Sequence, residues 1–168
     1  KNIIMHIPDG YLSPQTYIPL AGIFVAVTAV AVKKIKKEVS AKSIPYLGMA
    51  AAFSFLIMMF NIPIPGGTTG HAVGAALIAI ILGPWATVIA VSVALIIQAL
   101  IFGDGGITAI GANCVNMAIF MSFAAYCIFK LINLNSQNPF RVFIAAFISG
   151  YLSLVLASIL TAIEFGIQ

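Results

Sequence analysis

Two histidines are the residues of this sequence best suited to chemistry at neutral pH. His6 and His71 are the only histidines in the chain, and an imidazole can bind a transition metal or transfer a proton. Amide and hydroxyl side chains that could assist them are Gln98, Asn113, Asn116, Thr68 and Thr69. Imidazoles together with such donors suit the capture of a small polar solute or a metal ion.

The other ingredients of a catalytic site do not occur in the sequence. The chain contains only four Asp and Glu residues. It shows no paired carboxylates, no nucleophile in register with a histidine and a carboxylate, and no nucleotide-binding loop. We therefore predict that the chain is not an enzyme. A nucleic-acid role is equally unsupported, because the basic residues fall in loops where membrane proteins collect them.

The segments that must position these residues are strongly apolar. Hydrophobic residues make up 62% of the 168 residues and charged residues 7%, against about 25% charged residues in soluble domains. A bilayer-spanning helix needs roughly 20 mostly apolar residues, or a few fewer with snorkelling ends. The qualifying stretches are Tyr17–Val32, Ile44–Asn61, Trp85–Phe102, Ile107–Ile132 and Phe140–Ile163, and Ala72–Leu82 is about half that length. We predict an all-α, polytopic transmembrane helix bundle with six membrane segments, forming a single domain over residues 1–168.

The basic residues predict the orientation of this bundle. Five lysines between Lys33 and Lys42 crowd the first loop, and Lys130 and Arg141 flank the last one. Cytoplasmic loops collect Lys and Arg, so both loops are predicted inside. The short segment must then enter from outside and turn at Gly83-Pro84, a pair that breaks helices. A single kinked helix over Ala72–Phe102 would place the second basic loop outside, so the hairpin is favoured.

In this orientation both histidines and the polar side chains fall on the outer side. Each residue also has a simpler explanation. A histidine at a membrane interface can be an amphipathic side chain with a wetted tip. Asn113, Asn116 and Gln98 can form hydrogen bonds between helices. These readings stay open beside the capture site.

Several blocks of the sequence resemble a known family. The blocks are MHIPDGYLSP from Met5, MMFNIPIPGGTTGH ending at His71, LGPW ending at Trp85, QALIFGDGG from Gln98 and GANCVNM ending at Met117. In them the chain is similar to the substrate-binding membrane subunit of nickel and cobalt energy-coupling factor transporters, the NikM/CbiM family. The blocks cover most of residues 5–117, and the Met-His opening and the later Gly-x-His are specific features.

The resemblance implies a metal held by four nitrogens in a plane. The ligands would be the Met5 amine, the His6 main-chain nitrogen and the imidazoles of His6 and His71. The amine, the next amide and that residue's imidazole close adjacent five- and six-membered chelate rings, and the second imidazole completes the square. This field suits Ni(II), and low-spin Co(II) can also accept it. The Ile-Pro-Asp-Gly continuation favours nickel. The expected surroundings of the ligands are Thr68, Thr69, Gln98, Asn113 and Asn116.

The resemblance also implies partners and a location. The chain would be the membrane-embedded specificity subunit that binds Ni²⁺ or Co²⁺ from the outer side of a prokaryotic plasma membrane. A transmembrane coupling subunit and paired cytoplasmic ATPases, with or without a small accessory membrane subunit, would drive uptake. The metal would be cargo, with no resident cofactor. Two alternatives remain: a capture subunit for a small organic substrate such as a vitamin, and a structural membrane subunit without a ligand.

Both ends of the sequence depart from the family pattern. Lys1–Ile4 precede Met5, and while they remain Met5 has no free amine. We expect the competent form to begin at Met5. Family members usually continue past this length with another polar segment and a seventh helix. We therefore expect this chain to lack the family's final C-terminal helix.

Overall fold

The computed structural model describes residues 6–38, 44–64 and 68–167. The helices in these ranges are α1 (Pro14–Glu38), α2 (Ile44–Met58), α3 (Ala75–Leu82), α4 (Pro84–Phe102), α5 (Ile110–Asn133) and α6 (Pro139–Gly166). The strands β1 (Ile62–Ile64) and β2 (Thr68–Gly70) pair antiparallel, with Pro63 opposite Thr69. The predicted all-α bundle with six membrane segments is confirmed; the two-stranded hairpin was not predicted.

Helix lengths separate the segments into two groups. The helices α1, α4, α5 and α6 are long and apolar enough to cross a membrane. Helix α2 was expected to reach Asn61 but ends at Met58 after 15 residues, because Pro63 and the residue before it disfavour further helix. Helix α3 has 8 residues. At 1.5 Å per residue it is roughly 12 Å long, less than half of a hydrocarbon core of about 30 Å.

The predicted turn between α3 and α4 is present. The two helices meet at Gly83, whose φ of 85° and ψ of 159° end α3. Leu82 lies beside Tyr46 at the start of α2. The ring of Trp85, at the start of α4, lies 4.3 Å from the Lys34 ammonium of α1. The end of α3 and the start of α4 are therefore at the lysine-rich end of the bundle, and a single kinked helix is not formed.

The two ends of the bundle differ in charge. The basic end carries Lys33, Lys34, Lys36, Lys37, Lys130 and Arg141, all exposed. The opposite end, here termed the site end, holds the residues before α1, the β-hairpin, the start of α5 and the last turn of α6. Tyr11 contacts Phe165 there, with ring centroids 6.3 Å apart. A Cβ added to Gly111 of α5 would lie 2.5 Å from the Cα of Ala21, so these helices cross closely through small residues.

Two helices widen into π-helical turns near the site end. Residues Gln98–Phe102 complete α4 in this form, and Cys114–Phe120 form a π segment inside α5. Such turns are rare and change the face that the following residues present. Both segments contain residues that the sequence placed around the metal, Gln98 and Asn116.

Candidate metal-binding site

The two histidines meet inside the site end. Their ring centroids are 5.1 Å apart and their planes form an angle of 77°. His6 is 6% exposed and His71 is half-buried. Both line a cavity of about 370 Å³ between the hairpin, α5 and α6. The structure thus brings together the two side chains expected as metal ligands, and Met5 lies outside the described residues.

His71 is positioned by the chain that connects β2 to α3. Residues 71–74 are neither helix nor strand. The Ser54 hydroxyl, from α2, donates to the carbonyl of Val73 at 2.8 Å. Gly74 has φ 77°, and a Cβ there would lie 2.8 Å from the ring of Phe53. Residues 71–74 are therefore held against α2 by Ser54 and Phe53. Of the two preceding threonines, Thr69 lines the cavity, whereas Thr68 pairs with Ile64 in the hairpin.

His6 is positioned by its neighbour Ile7. The Asn113 carboxamide accepts from the Ile7 N–H at 3.1 Å and donates to the Ile7 carbonyl at 3.2 Å. The Gly106 N–H donates to the same carbonyl at 2.9 Å. Asn113 thereby pairs with the main chain as a neighbouring strand would. Residues 6–9, here called the strap, are held against the start of α5.

Asp9 fastens the other end of the strap. Its carboxylate accepts from the Ile107 N–H at 3.1 Å, the Thr108 N–H at 2.8 Å and the Thr108 hydroxyl at 2.5 Å. These bonds, the Thr108 hydroxyl foremost, lower the pKa of Asp9 below its ordinary value. The negative charge lies just before the N-terminus of α5, where a helix dipole favours it.

The loop between α4 and α5 closes over His6. Gly105 has φ 105°, and a Cβ there would lie 3.1 Å from the Cβ of His6. The His6 Nδ1 lies 3.3 Å from the Asp104 carbonyl and 3.6 Å from its Oδ2. Because a carbonyl only accepts, Nδ1 is the donor in this contact, and Nε2 lies at the other edge of the ring. That Nε2 is buried and forms no hydrogen bond within the described ranges.

Asn116 joins α5 to α6 beside the same cavity. Its Nδ2 donates to Thr161 Oγ1 at 3.0 Å and to Glu164 Oε2 at 2.8 Å. The simpler reading of Asn116 as a helix–helix hydrogen-bonding residue therefore holds. It lines the cavity as well.

Gln98 is not brought to the histidines. Its side chain is fully buried, and its Nε2 lies 4.0 Å from the Met59 sulfur. It does not line the cavity that His6 and His71 share. Its main-chain carbonyl accepts from the Asp104 N–H at 3.0 Å, so Gln98 supports the loop over His6.

Three acidic residues that the predicted site did not include contact this region: Asp9, Asp104 and Glu164. They are three of the chain's four acids. Glu164 carried a usable signal, because an acid inside an apolar helix is a functional candidate by default. For Asp9 and Asp104 the only signal was their place in the family-like blocks.

The side chains alone do not make a full metal cage. Among the described residues, no group of three or more His, Cys, Asp or Glu could hold a metal ion. Two imidazoles reach the cavity, so a metal bound there would need further ligands from the main chain or from water. An imidazole pair with main-chain nitrogens is such an arrangement.

Comparison with known proteins identifies the family. The model of the CbiM family, described as the cobalt uptake substrate-specific transmembrane region, matches residues 6–168. The chain belongs to the CbiM family. The resemblance seen in the sequence is thereby confirmed, and the four spanning helices are those of a multi-pass membrane protein.

Relatives of this CbiM-family chain carry transport names. The fused nickel transport protein NikMN of Rhodobacter capsulatus is 48% identical over 98% of this chain and 48% of its own length. The cobalt transport protein CbiM of Lachnoclostridium phytofermentans is 35% identical over 96% of this chain and 66% of the relative. The chain spans about half the length of the fused relatives. A crystal structure of a truncated transition metal transporter matches with TM-score 0.90 and 49% identity, over 98% of this chain and 75% of that one.

Proposed function

We propose that this CbiM-family chain captures a divalent transition-metal ion, Ni²⁺ or Co²⁺, for ATP-driven uptake. The observation that carries the proposal is the meeting of His6 and His71 at the wall of one cavity. Relatives named as nickel and cobalt transport proteins support the same class of cargo. Capture is from the outer side of a prokaryotic plasma membrane.

The distance between the imidazoles suits a shared metal. With metal–nitrogen bonds of about 2.0 Å and a ring centre roughly 1.1 Å further out, rings at adjacent corners of a square have centroids about 4.4 Å apart. Rings at opposite corners have centroids about 6.2 Å apart. The observed 5.1 Å is nearer the adjacent arrangement. A small movement of either ring would complete it, with the main-chain nitrogens at the remaining corners.

Binding must also change the contact of His6 with Asp104. A six-membered chelate ring with the His6 main-chain nitrogen uses Nδ1, because Nε2 lies on the far side of the imidazole. Nδ1 faces the Asp104 carbonyl at 3.3 Å. We therefore expect metal binding to replace the Nδ1–Asp104 hydrogen bond by a metal–nitrogen bond, with the imidazole hydrogen then carried by Nε2 instead of Nδ1.

The cavity wall favours an ion over an organic substrate. Its lining includes no Phe, Tyr or Trp among the described residues, so a flat ring would find little to stack on. Two buried polar atoms of lining residues, Thr69 Oγ1 and Asn116 Oδ1, form no hydrogen bond within the part of the chain that the structure describes. Buried polar groups are normally satisfied, and an ion with its remaining waters would satisfy them.

Charge supports the orientation and the partners. The basic end lies opposite the cavity, and the preference of Lys and Arg for the cytoplasmic side puts the cavity outside. The sequence has no nucleotide loop, so ATP hydrolysis falls to other subunits. The partners we propose are a transmembrane coupling subunit and paired cytoplasmic ATPases.

Nickel titration of the detergent-purified protein, followed by visible absorption, tests the proposal. The N-terminus is first verified by intact mass. We expect a yellow, square-planar d–d band that saturates near one equivalent and disappears in His71→Ala. Cys127→Ala is the control, because this exposed thiol could bind nickel by itself and its loss should leave the band.

The same titration separates the alternatives. Absence of the band from protein that begins at Met5 would refute the four-nitrogen site. Absence of the band only while Lys1–Ile4 remain would show that these residues block the Met5 amine. Competition between Ni²⁺ and Co²⁺ then ranks the two metals.

A further inference from the structure

A buried carboxylate lies behind the wall of the cavity. Glu164, in the last turn of α6, is 4% exposed. Its Oε2 accepts from Asn116 Nδ2 at 2.8 Å, while its Oε1 has no hydrogen-bond partner in the described ranges. No Lys or Arg of those ranges forms an ion pair with it, because they lie at the basic end. Glu164 is thus a buried acid at the end of a spanning helix, and no described Lys or Arg neutralises it.

Such a residue is costly to keep. Burying a carboxylate away from water is unfavourable unless an opposite charge and hydrogen bonds compensate it. Ionisable residues inside membrane segments mark substrate and ion pathways for this reason. The transported cation would lie in the cavity that Asn116 lines, and the Asn116 side chain would separate it from Glu164.

The hydrogen bonds around Glu164 fix the orientation of Asn116. The Thr161 hydroxyl donates to the Ala157 carbonyl at 3.1 Å, so it can only accept from Asn116. Both acceptors, Thr161 Oγ1 and Glu164 Oε2, therefore require the amide nitrogen of Asn116 to face α6. Its oxygen is turned away from them.

That oxygen is the atom without a partner. Asn116 is 2% exposed and lines the cavity together with His6 and His71. Its Oδ1 forms no hydrogen bond with any described residue. An amide oxygen held in this way can accept from a metal-bound water or from the ring N–H of a ligating histidine.

We propose that Glu164 is a positioning residue for metal capture that acts through Asn116. It holds the Asn116 amide with the oxygen available to the hydrated or histidine-bound cation, and it provides the negative charge that the divalent cation offsets. This inference rests on the proposed function and adds to it a residue of α6, the helix opposite the strap.

Glu164→Gln tests the role of the charge. The side chain keeps its size and can still accept from Asn116, so only the charge is lost. We expect the dissociation constant for Ni²⁺ to rise about 10- to 100-fold, the usual effect of losing a group that supports metal ligands. The absorption band at saturation should be unchanged, since Glu164 is not a ligand. Glu38→Gln, which replaces the chain's only other Glu at the end of α1, should bind as the parent protein does.

Thermal unfolding separates this role from a structural one. Glu164→Gln removes a buried charge, so its melting temperature without nickel should stay equal or rise while its affinity falls. A purely structural role would lower the melting temperature and leave affinity intact. Thr161→Val removes one acceptor of the Asn116 amide and keeps Glu164, so it should weaken binding by a smaller factor.

Two outcomes distinguish failure of the inference about Glu164 from failure of the proposed function. If the parent protein binds nickel, His71→Ala abolishes binding, and both Glu164→Gln and Thr161→Val stay within twofold of the parent, the role of Glu164 is refuted and the proposed function stands. If neither the parent nor His71→Ala shows the band in protein that begins at Met5, the proposed function fails first, and the inference fails with it.

Discussion

Replacing Asn113 by alanine should release the strap from the start of α5. The Asn113 side chain is 4% exposed and forms two hydrogen bonds with the main chain of Ile7, at 3.1 and 3.2 Å. Alanine would leave the Ile7 N–H without an acceptor. The Ile7 carbonyl would keep the Gly106 N–H at 2.9 Å. The change therefore removes the acceptor of the Ile7 N–H and one of the two donors to the Ile7 carbonyl.

The size of the effect follows from these two bonds. An unsatisfied buried N–H costs about 1–3 kcal/mol, and loss of the second hydrogen bond costs about 0.5–1.5 kcal/mol. A middle value of about 3 kcal/mol shifts the docking equilibrium of the strap by roughly 150-fold. In the proposed site His6 ligates the metal beside His71 only while the strap is docked, so the apparent dissociation constant is expected to rise as the docked fraction falls. At this middle value the loss of nickel affinity is thus at most about 150-fold.

Calorimetric nickel titration together with hydrogen exchange at the Ile7 amide measures both parts of this prediction. Asn113→Asp keeps the acceptor for Ile7 but replaces the donor by a negative charge, so the protection of the Ile7 amide against exchange, which reports on the strap, should fall less than in Asn113→Ala. Asn133→Ala is the matched control, because Asn133 is a buried asparagine of the same helix whose Nδ2 donates to the Ser136 carbonyl at the basic end. If Asn113→Ala binds nickel with the parent's affinity and Ile7 stays protected, the strap does not depend on Asn113 and the reasoning is refuted.

Three further predictions concern the strap and the proton dependence of the site. Gly106→Ala puts a methyl group onto the Asp9 main chain, so nickel affinity and melting temperature should both fall. Gly22→Ala, with open space around the added methyl, should leave the affinity unchanged and should not lower the melting temperature, because alanine favours a helix more than glycine does. The pKa of Asp9 is lowered, so its carboxylate stabilises the docked strap above the ordinary Asp pKa, and this stabilisation is lost as pH falls through the lower folded pKa. Limited proteolysis as a function of pH should show the release of the strap. The cleavage rate of Asp9→Asn should be independent of pH over the same range. Nickel affinity should already fall below about pH 6, because protons compete with the metal for imidazole nitrogens, and binding that is constant down to pH 4.5 in the same titration would exclude release by protonation.

The sequence predicted the helices well because the bilayer imposes their length. An apolar run long enough to cross is readable without tertiary information, and Gly83-Pro84 is a local break. The errors lie at segment ends that depend on contacts. The short segment was expected from Ala72 but α3 begins at Ala75, because Gly74 takes a positive φ and Ser54 binds the Val73 carbonyl.

The site could be anticipated only by residue type. The two histidines were identifiable because they are the only ones and fall on one side. The bonds that hold them were not, since Ile7 and Asn113 are 106 positions apart and Asp9 and Thr108 are 99 apart. No local periodicity encodes such pairs. Gln98 was placed near the metal because it is an amide on the outer side and lies in a family-like block, and its side chain instead reaches Met59.

The π segment of α5 changes the course of the helix locally, over Cys114–Phe120, without interrupting the apolar helix that spans the membrane. A π turn contains one residue more than an α turn. Deleting a single residue between Cys114 and Phe120 would restore ordinary α geometry and leave a helix of nearly the same length and apolarity. The two halves of α5 would keep their orientation, because the widened turn accommodates its extra residue within one turn, so Asn113 would still face Ile7. Only the side chains of the widened turn would be displaced, and Asn116 is one of them, so such a deletion should preserve membrane insertion and the docked strap while removing the Asn116 contacts with α6.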